Sequence, residues 1–202
     1  GAPIDDQIVV VSPIRPTPML RLMGVSKVVT SPDKPPYPGS RVTFQSSDRA
    51  VHTLDDPLPR AFVIGRARCV PDKIERLRIM QDPSFDPRVE VLLEPPGCDA
   101  GTSGAPFREA RIRSYTPHEV VIEAEAPEPA FLVLTDAYYS RWQAFVDGVR
   151  TPILPAYHLF RAIRIPAGPH AVTFHYPMSE VQIGAAISVV SPAFGTSSIL
   201  NP

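Results

Sequence analysis

The sequence predicts a mainly β, antiparallel fold of the sandwich or jelly-roll kind with one or two short helices, and three observations carry that prediction. The 26 prolines among 202 residues are scattered between apolar runs rather than gathered in a repeat. That is well above the roughly 5% of average usage, and proline breaks helices and central strands while suiting edges and turns. From Val42 onward, short alternating or apolar runs follow one another at close intervals, the pattern of many short strands. Asp147-Gly148 and Ala167-Gly168-Pro169 stand between such runs. Asp-Gly is favoured in two-residue hairpin turns because both central positions need positive φ.

Taken in order, Thr17-Pro18, "MLRLM" and Gly24 predict a short helix with a side-chain cap, proline at its first position and glycine past its end. "VSKVV" (residues 25–29) reads as a strand, and residues 30–40 as a proline-rich loop. "RVTFQ" places Val42 and Phe44 on one face of the next strand, and "RAFVIGRARCV" (residues 60–70) begins with an apolar run that suits a strand covered on both sides. In residues 72–80, Asp72 and Glu75 have capping-box spacing, and Ile74, Leu77 and Met80 form one helical stripe that should pack on a sheet. "VEVLLE" (residues 89–94) is a further strand, and the proline- and glycine-rich residues 95–106 mark the place where two subdomains would meet. Strands are then expected in "EVVIEAEA", "FLVLTDAYY", "WQAFVDG", "VRTPIL", "HLFRAIRI" and "HAVTFHY", with Val172, Phe174 and Tyr176 on one face of the last.

The 44% hydrophobic content is enough for a core of its own. Lys plus Arg (20) nearly balances Asp plus Glu (21), so no global field recruits nucleic acid or an anionic surface. No run of about 18 apolar residues occurs and the N-terminus has no signal-like pattern, so the stretch as written reads as soluble. Cys69 and Cys98 are too few for a disulfide framework and are not spaced for zinc. Pairing in an oxidising compartment and two unrelated thiols are both open readings.

The search for chemistry finds no nucleophile elbow, P-loop, dinucleotide fingerprint or paired-histidine zinc motif. His52, His118, His158, His170 and His175 lie far apart, with no carboxylate or cysteine at ligand spacing, so neither metal nor cofactor is expected. Glu123 and Glu125 read as the solvated face of a strand, Gly101 to Gly104 as a flexible linker, and Arg60, Arg66 and Arg68 as an outward strand face. What remains is "DAYYSRWQAFVDG" (residues 136–148). It is either a sugar-stacking platform flanked by carboxylates or the aromatic heart of a core. A single tryptophan in a sandwich is most often its packing anchor, so Trp142 is expected to be buried. Strand alternation would send Tyr138 and Tyr139 to opposite faces. Any glycan contact is then expected at whichever tyrosine faces solvent, with Asp136, Tyr157 and His158 beside it.

Residues 132–177 resemble the carboxy-terminal extracytoplasmic segment of YfhO-like bacterial multi-pass membrane proteins, which are similar to membrane glycosyltransferases of the GT-C class. The resemblance rests on Tyr138, Tyr139, Trp142, Asp147, Gly148, Arg161, Ala162, Pro166, Ala167 and Gly168 in that order. Ser140-Arg141 stands where the family usually has Pro-Gly. Upstream, "MLRLMGVSKVVTS", "LPRAFVIGRARCVPD" and "DPSFDPRVEVLLE" resemble the family's entry helix and strands.

The resemblance implies a non-catalytic ectodomain on the extracytoplasmic face of the cell membrane. Its partner would be the membrane-embedded remainder of its own polypeptide, with a glycan or lipid-linked sugar as a further expected contact. The alternative is a stand-alone secreted carbohydrate-binding module. In this reading residues 1–17 are an N-terminal tail and residues 18–182 the domain. Residues 183–202 are a C-terminal tail in which "IGAAISVV" (residues 183–190) matches the expected start of a membrane helix.

Overall fold

A computed structural model of the chain describes residues 8–11, 18–34, 39–99 and 101–177. The expected tail at residues 183–202, "IGAAISVV" with it, and the Thr17 cap lie outside these residues. The described chain is mainly β, with two short helices, α1 (Pro18–Leu22) and α2 (Lys73–Gln81).

The strands form three sheets. The first has the order β1 (Ile8–Val11), β2 (Val25–Thr30), β4 (Ala50–Leu54), β3 (Ser40–Gln45), and β1 runs parallel to β2. Part of the expected N-terminal tail is therefore a strand. The central sheet has the order β6 (Ala67–Cys69), β7 (Val91–Leu93), β14 (Leu154–Ala156), β15 (Phe160–Ile165), β11 (Ala130–Ala137), β5 (Ala61–Ile64), β8 (Arg108–Glu109). The outer sheet has the order β13 (Val149–Thr151), β12 (Gln143–Val146), β16 (Gly168–His175), β10 (Glu119–Ala126), β9 (Arg111–Tyr115), antiparallel throughout.

Outer and central sheets make the sandwich. Val120, Ile122 and Ala124 of β10, with Val172 and Phe174 of β16, pack against Ala61, Val63, Leu132, Leu134, Ile163 and Ile165 of the central sheet. The opposite face of that sheet is covered too: Phe62, Ile64, Phe131, Val133 and Ala162 join Leu22 of α1, Leu58, Met80 of α2 and Tyr157 in a second core. Burial on both faces is why β5 reads as an unbroken apolar run rather than an alternating one. A smaller cluster, Leu20, Val25, Val28 and Leu54, joins α1 to the first sheet.

Local chemistry sets the boundaries. Gly24, at φ 67°, ends α1 and its N–H bonds the Arg21 carbonyl. Asp72 caps α2 by accepting from the Glu75 N–H at 2.7 Å. The expected apolar stripe of α2 is corrected by the structure. Ile74 is 64% exposed, and the buried positions are Arg76 and Met80. The Arg76 guanidinium bonds the carbonyls of Val70 and Pro71 and pairs with Glu94 at 2.6 Å. These charge-assisted bonds, rather than a broad apolar face, dock the nine-residue helix.

Residues 95–106 are fastened rather than free. Cys98 is disulfide-bonded to Cys69. The Gly65 N–H donates to the Ala105 carbonyl, the Ser103 N–H donates back to the Gly65 carbonyl, and the Gly104 N–H donates to the Glu128 carboxylate. A Cβ on Gly65 would lie 2.6 Å from the Ala105 nitrogen, so only glycine permits this approach. The expected hairpin is present, with Asp147 at φ 49° and Gly148 at φ 81° between β12 and β13.

Leu132, fully buried between the two sandwich sheets, should lose about 2–5 kcal/mol on Leu132→Ala. Ile74→Ala should cost no more than about 0.5 kcal/mol, as an exposed change does. Urea unfolding of both variants checks the docking of α2: a large loss at Ile74 would restore the apolar-stripe reading.

Candidate functional site

Of the side chains singled out in residues 136–148, Asp136, Tyr138, Tyr139 and Trp142 gather at one end of the sandwich. On β11, Leu132 and Leu134 face the outer sheet, and on β15 Ile163 and Ile165 do the same. The same alternation carries Asp136 and Arg161 to the mouth of that interlayer. Arg161 is 1% exposed, and its guanidinium lies 4.0 Å from the Trp142 ring centroid and 5.2 Å from that of Phe174. Its Nη2 donates to Asp136 at 2.8 Å, while its Nε and Nη1 are buried with no hydrogen-bond partner.

Asp136 ties the two sheets together. One carboxylate oxygen accepts from Arg60 at 3.3 Å, and the other from Arg161 at 2.8 Å and from the Tyr115 hydroxyl of the outer sheet at 3.0 Å. Tyr115 also accepts from Arg60, whose guanidinium stacks 5.1 Å from its ring. Burial, and then the Asp136 charge, push the Tyr115 phenol above its ordinary value. Burial draws Arg161 down from its ordinary value against the opposing pull of Asp136. Arg66 and Arg68 are exposed as expected, but Arg60 belongs to this network.

The aromatic expectations need three corrections. Trp142 is half-buried rather than central: it packs against the rim of the core, covered on one side by Arg161 and edge-on to Tyr176 at 5.5 Å. Tyr138 and Tyr139 are both exposed, at 38% and 53%. The reason is that β11 ends at Ala137, so strand alternation no longer applies to them. Tyr139 stacks on Tyr176 at 6.2 Å. Tyr157 is fully buried, not a surface contact. It occupies the β14–β15 turn at φ 48°, which sends its ring inward to donate to the carbonyls of Pro87 and Glu90. His158, at φ 69°, follows it in the turn, with Nδ1 buried and unpartnered.

A groove of about 480 Å³ opens beside the cluster, lined by Tyr138, Ser140, Trp142, Gln143, Arg150 and Thr151 with their neighbours. Of the expected contact set, Tyr138 alone lines it. Asp136 instead borders a cleft of about 300 Å³ with Met23, Leu58, Arg60 and Thr135. Among the described residues no group of three or more His, Cys, Asp or Glu is arranged to hold a metal ion. At the far end of the β12–β13 hairpin Asp147 accepts from His170 Nδ1 at 2.6 Å and from the Ala171 N–H. These bonds hold its carboxyl below the ordinary range. Sequence reasoning missed Arg60, Tyr115 and Tyr176 as members of the cluster. The available signal was a charged residue, Arg161, at the inward parity of Ile163 and Ile165.

Comparison with known proteins finds no match to any family model, curated protein or solved structure.

Asp136→Asn should cost about 3–5 kcal/mol, because it strips the compensating charge from a buried guanidinium. Tyr115→Phe should cost about 1 kcal/mol, one hydrogen bond. Urea unfolding measures both, and near-equal small losses would show that Asp136 is solvated rather than a keystone. Asp147 gives a pH signature. Its lowered folded value means its contribution is present above the ordinary carboxylate range and lost as pH falls through that lowered value. Carboxyl NMR should place its midpoint below that of the unfolded chain, and His170→Ala should narrow the gap without closing it, because the Ala171 N–H bond remains.

Proposed function

We propose that the chain is a non-catalytic extracytoplasmic β-sandwich domain of a YfhO-like, glycosyltransferase-like membrane protein that handles cell-envelope glycan or lipid-linked sugar. Its partner in this reading is the membrane-embedded part of the same polypeptide. One observation supports it: four of the residues on which the resemblance rests, Tyr139, Trp142, Asp147 and Arg161, make tertiary contacts, directly or through a neighbour outside that set. Arg161 stacks on Trp142 and pairs with Asp136, Tyr139 and Trp142 share Tyr176, and Asp147 ties its hairpin to His170 just beyond the Ala167-Gly168 turn. Both oxygens of Asp136 are committed to protein donors. A carboxylate so engaged serves as a brace rather than as an acid or base poised for a substrate. The Cys69–Cys98 disulfide supports an oxidising compartment.

The groove at Tyr138 favours a second reading, a secreted carbohydrate-binding module. It sets Tyr138 and Trp142 beside Ser140, Gln143, Arg150 and Thr151, an aromatic surface with donors and acceptors for hydroxyls. NMR titration with envelope sugars should shift Tyr138, Gln143 and Thr151 resonances in this case. Shifts elsewhere, or none at millimolar sugar, dismiss the groove as a sugar site.

The first reading is tested in cells of the source organism. Thiols trapped in acid and labelled with a maleimide polymer should show Cys69 and Cys98 labelled only after reduction, in protein that sediments with the membrane. Two thiols labelled without reduction, in soluble protein, would contradict it.

A further inference from the structure

The end of the sandwich that holds the Arg161 brace is also where the exposed tyrosines gather. Tyr115, Tyr138 and Tyr139 are 45%, 38% and 53% exposed and are the only tyrosines among the large exposed apolar side chains of the described residues. Trp142, the sole tryptophan of the chain, and Tyr176 lie among them. Leu159, 39% exposed, accepts the Tyr138 N–H through its carbonyl and so belongs to the same rim. Rings with an apolar body and a polar tip are the side chains that favour the boundary between water and hydrocarbon. Arg150, which lines the adjoining groove, is exposed and adds a positive charge.

The path of the chain supplies a second, independent observation. β16 ends at His175, and the Tyr176 N–H bonds the His118 carbonyl. The backbone therefore leaves the described fold through this rim. A few residues further along the sequence stands the apolar run "IGAAISVV" (residues 183–190).

We infer that this aromatic rim is a membrane-facing surface: Tyr138, Tyr139, Tyr176 and Leu159 rest at the headgroup level of a lipid bilayer, with Trp142 just behind them. The inference rests on the reading of the chain as part of a membrane protein and gives that reading an orientation. The hairpin tip at Asp147-Gly148 then points away from the lipid. The occupant is a lipid surface rather than a second copy or a sugar, because the exposed rings are spread along a rim around the chain exit. Only Tyr138 and Trp142 of that set line the groove.

The test uses the whole chain with vesicles of phosphatidylglycerol whose acyl chains are brominated close to the headgroup. Trp142 is the only tryptophan, so its emission reports on this rim alone. Quenching of about twofold is expected on vesicle binding, since bromines at that depth lie close to interfacial rings. Tyr139→Ser combined with Leu159→Ser alters two exposed side chains, so the fold should survive, as circular dichroism checks. Retention on vesicles should then fall by about fivefold, because interfacial binding scales with buried apolar area. Phe44→Ser, on the free edge of β3, should change nothing.

The inference is overturned by unquenched Trp142 at millimolar lipid, or by retention that the paired substitution leaves intact and another part of the chain therefore supplies. It is also overturned if vesicles are not bound while a sugar shifts the Tyr138 and Tyr139 resonances. Failure here alongside an oxidised disulfide in the membrane fraction would reject the rim and leave the proposed function standing. Reduced thiols in soluble protein would reject the function itself.

Discussion

A sheet buried on both faces can carry charge only where its strands run out, and most of the architecture follows from that constraint. β5, β11 and β15 are apolar through their middles because α1, α2 and Leu58 cover one face and the outer sheet covers the other. Charge that the sequence places on these strands is displaced to the ends. Arg161 and Asp136 accordingly meet at the mouth of the interlayer, and Arg60, Tyr115 and Trp142 close over them. Desolvating a guanidinium this far is costly unless it is paired and covered, and Asp136 and the indole ring provide the two kinds of compensation. The brace thus substitutes for apolar packing at this end of the interlayer.

How much of this the sequence disclosed follows the same logic. The apolar run at residues 61–64 announced a strand covered on both sides, and Asp147-Gly148 announced its hairpin, because both signals are local. Asp72 found its capping role for the same reason. Residues whose roles depend on distant partners were not legible. Arg76 is buried because carbonyls of Val70 and Pro71 and the Glu94 carboxylate converge on it, and no helical stripe encodes that convergence. Tyr157 turned inward because of a positive φ that nothing in its type suggests. Tyr138 and Tyr139 were assigned opposite faces on a strand that stops one residue before them. Asp136, Tyr138, Tyr139 and Trp142 are near neighbours in sequence, while the residues they meet, Arg60, Tyr115, Arg161 and Tyr176, are set by tertiary contact.

Trp142 and Arg161, far apart in sequence, are in direct contact across this end of the fold. The Cys69–Cys98 bond, at a sequence separation of 29, fastens the irregular residues 95–106 to the sheet edge that β6 forms. Chain-entropy arguments value such a closure at about 3–4 kcal/mol.

The central claim is that Trp142 and Arg161 act together as one structural element, and a double-mutant cycle tests it most directly. Trp142→Leu, Arg161→Met and the pair, each followed by urea unfolding, isolate the contact between ring and guanidinium. The account predicts a coupling energy of about 1–2 kcal/mol, as for a desolvated cation over an indole face. Additive effects, with a coupling within about 0.3 kcal/mol of zero, would show that the two residues are merely neighbours and would contradict it.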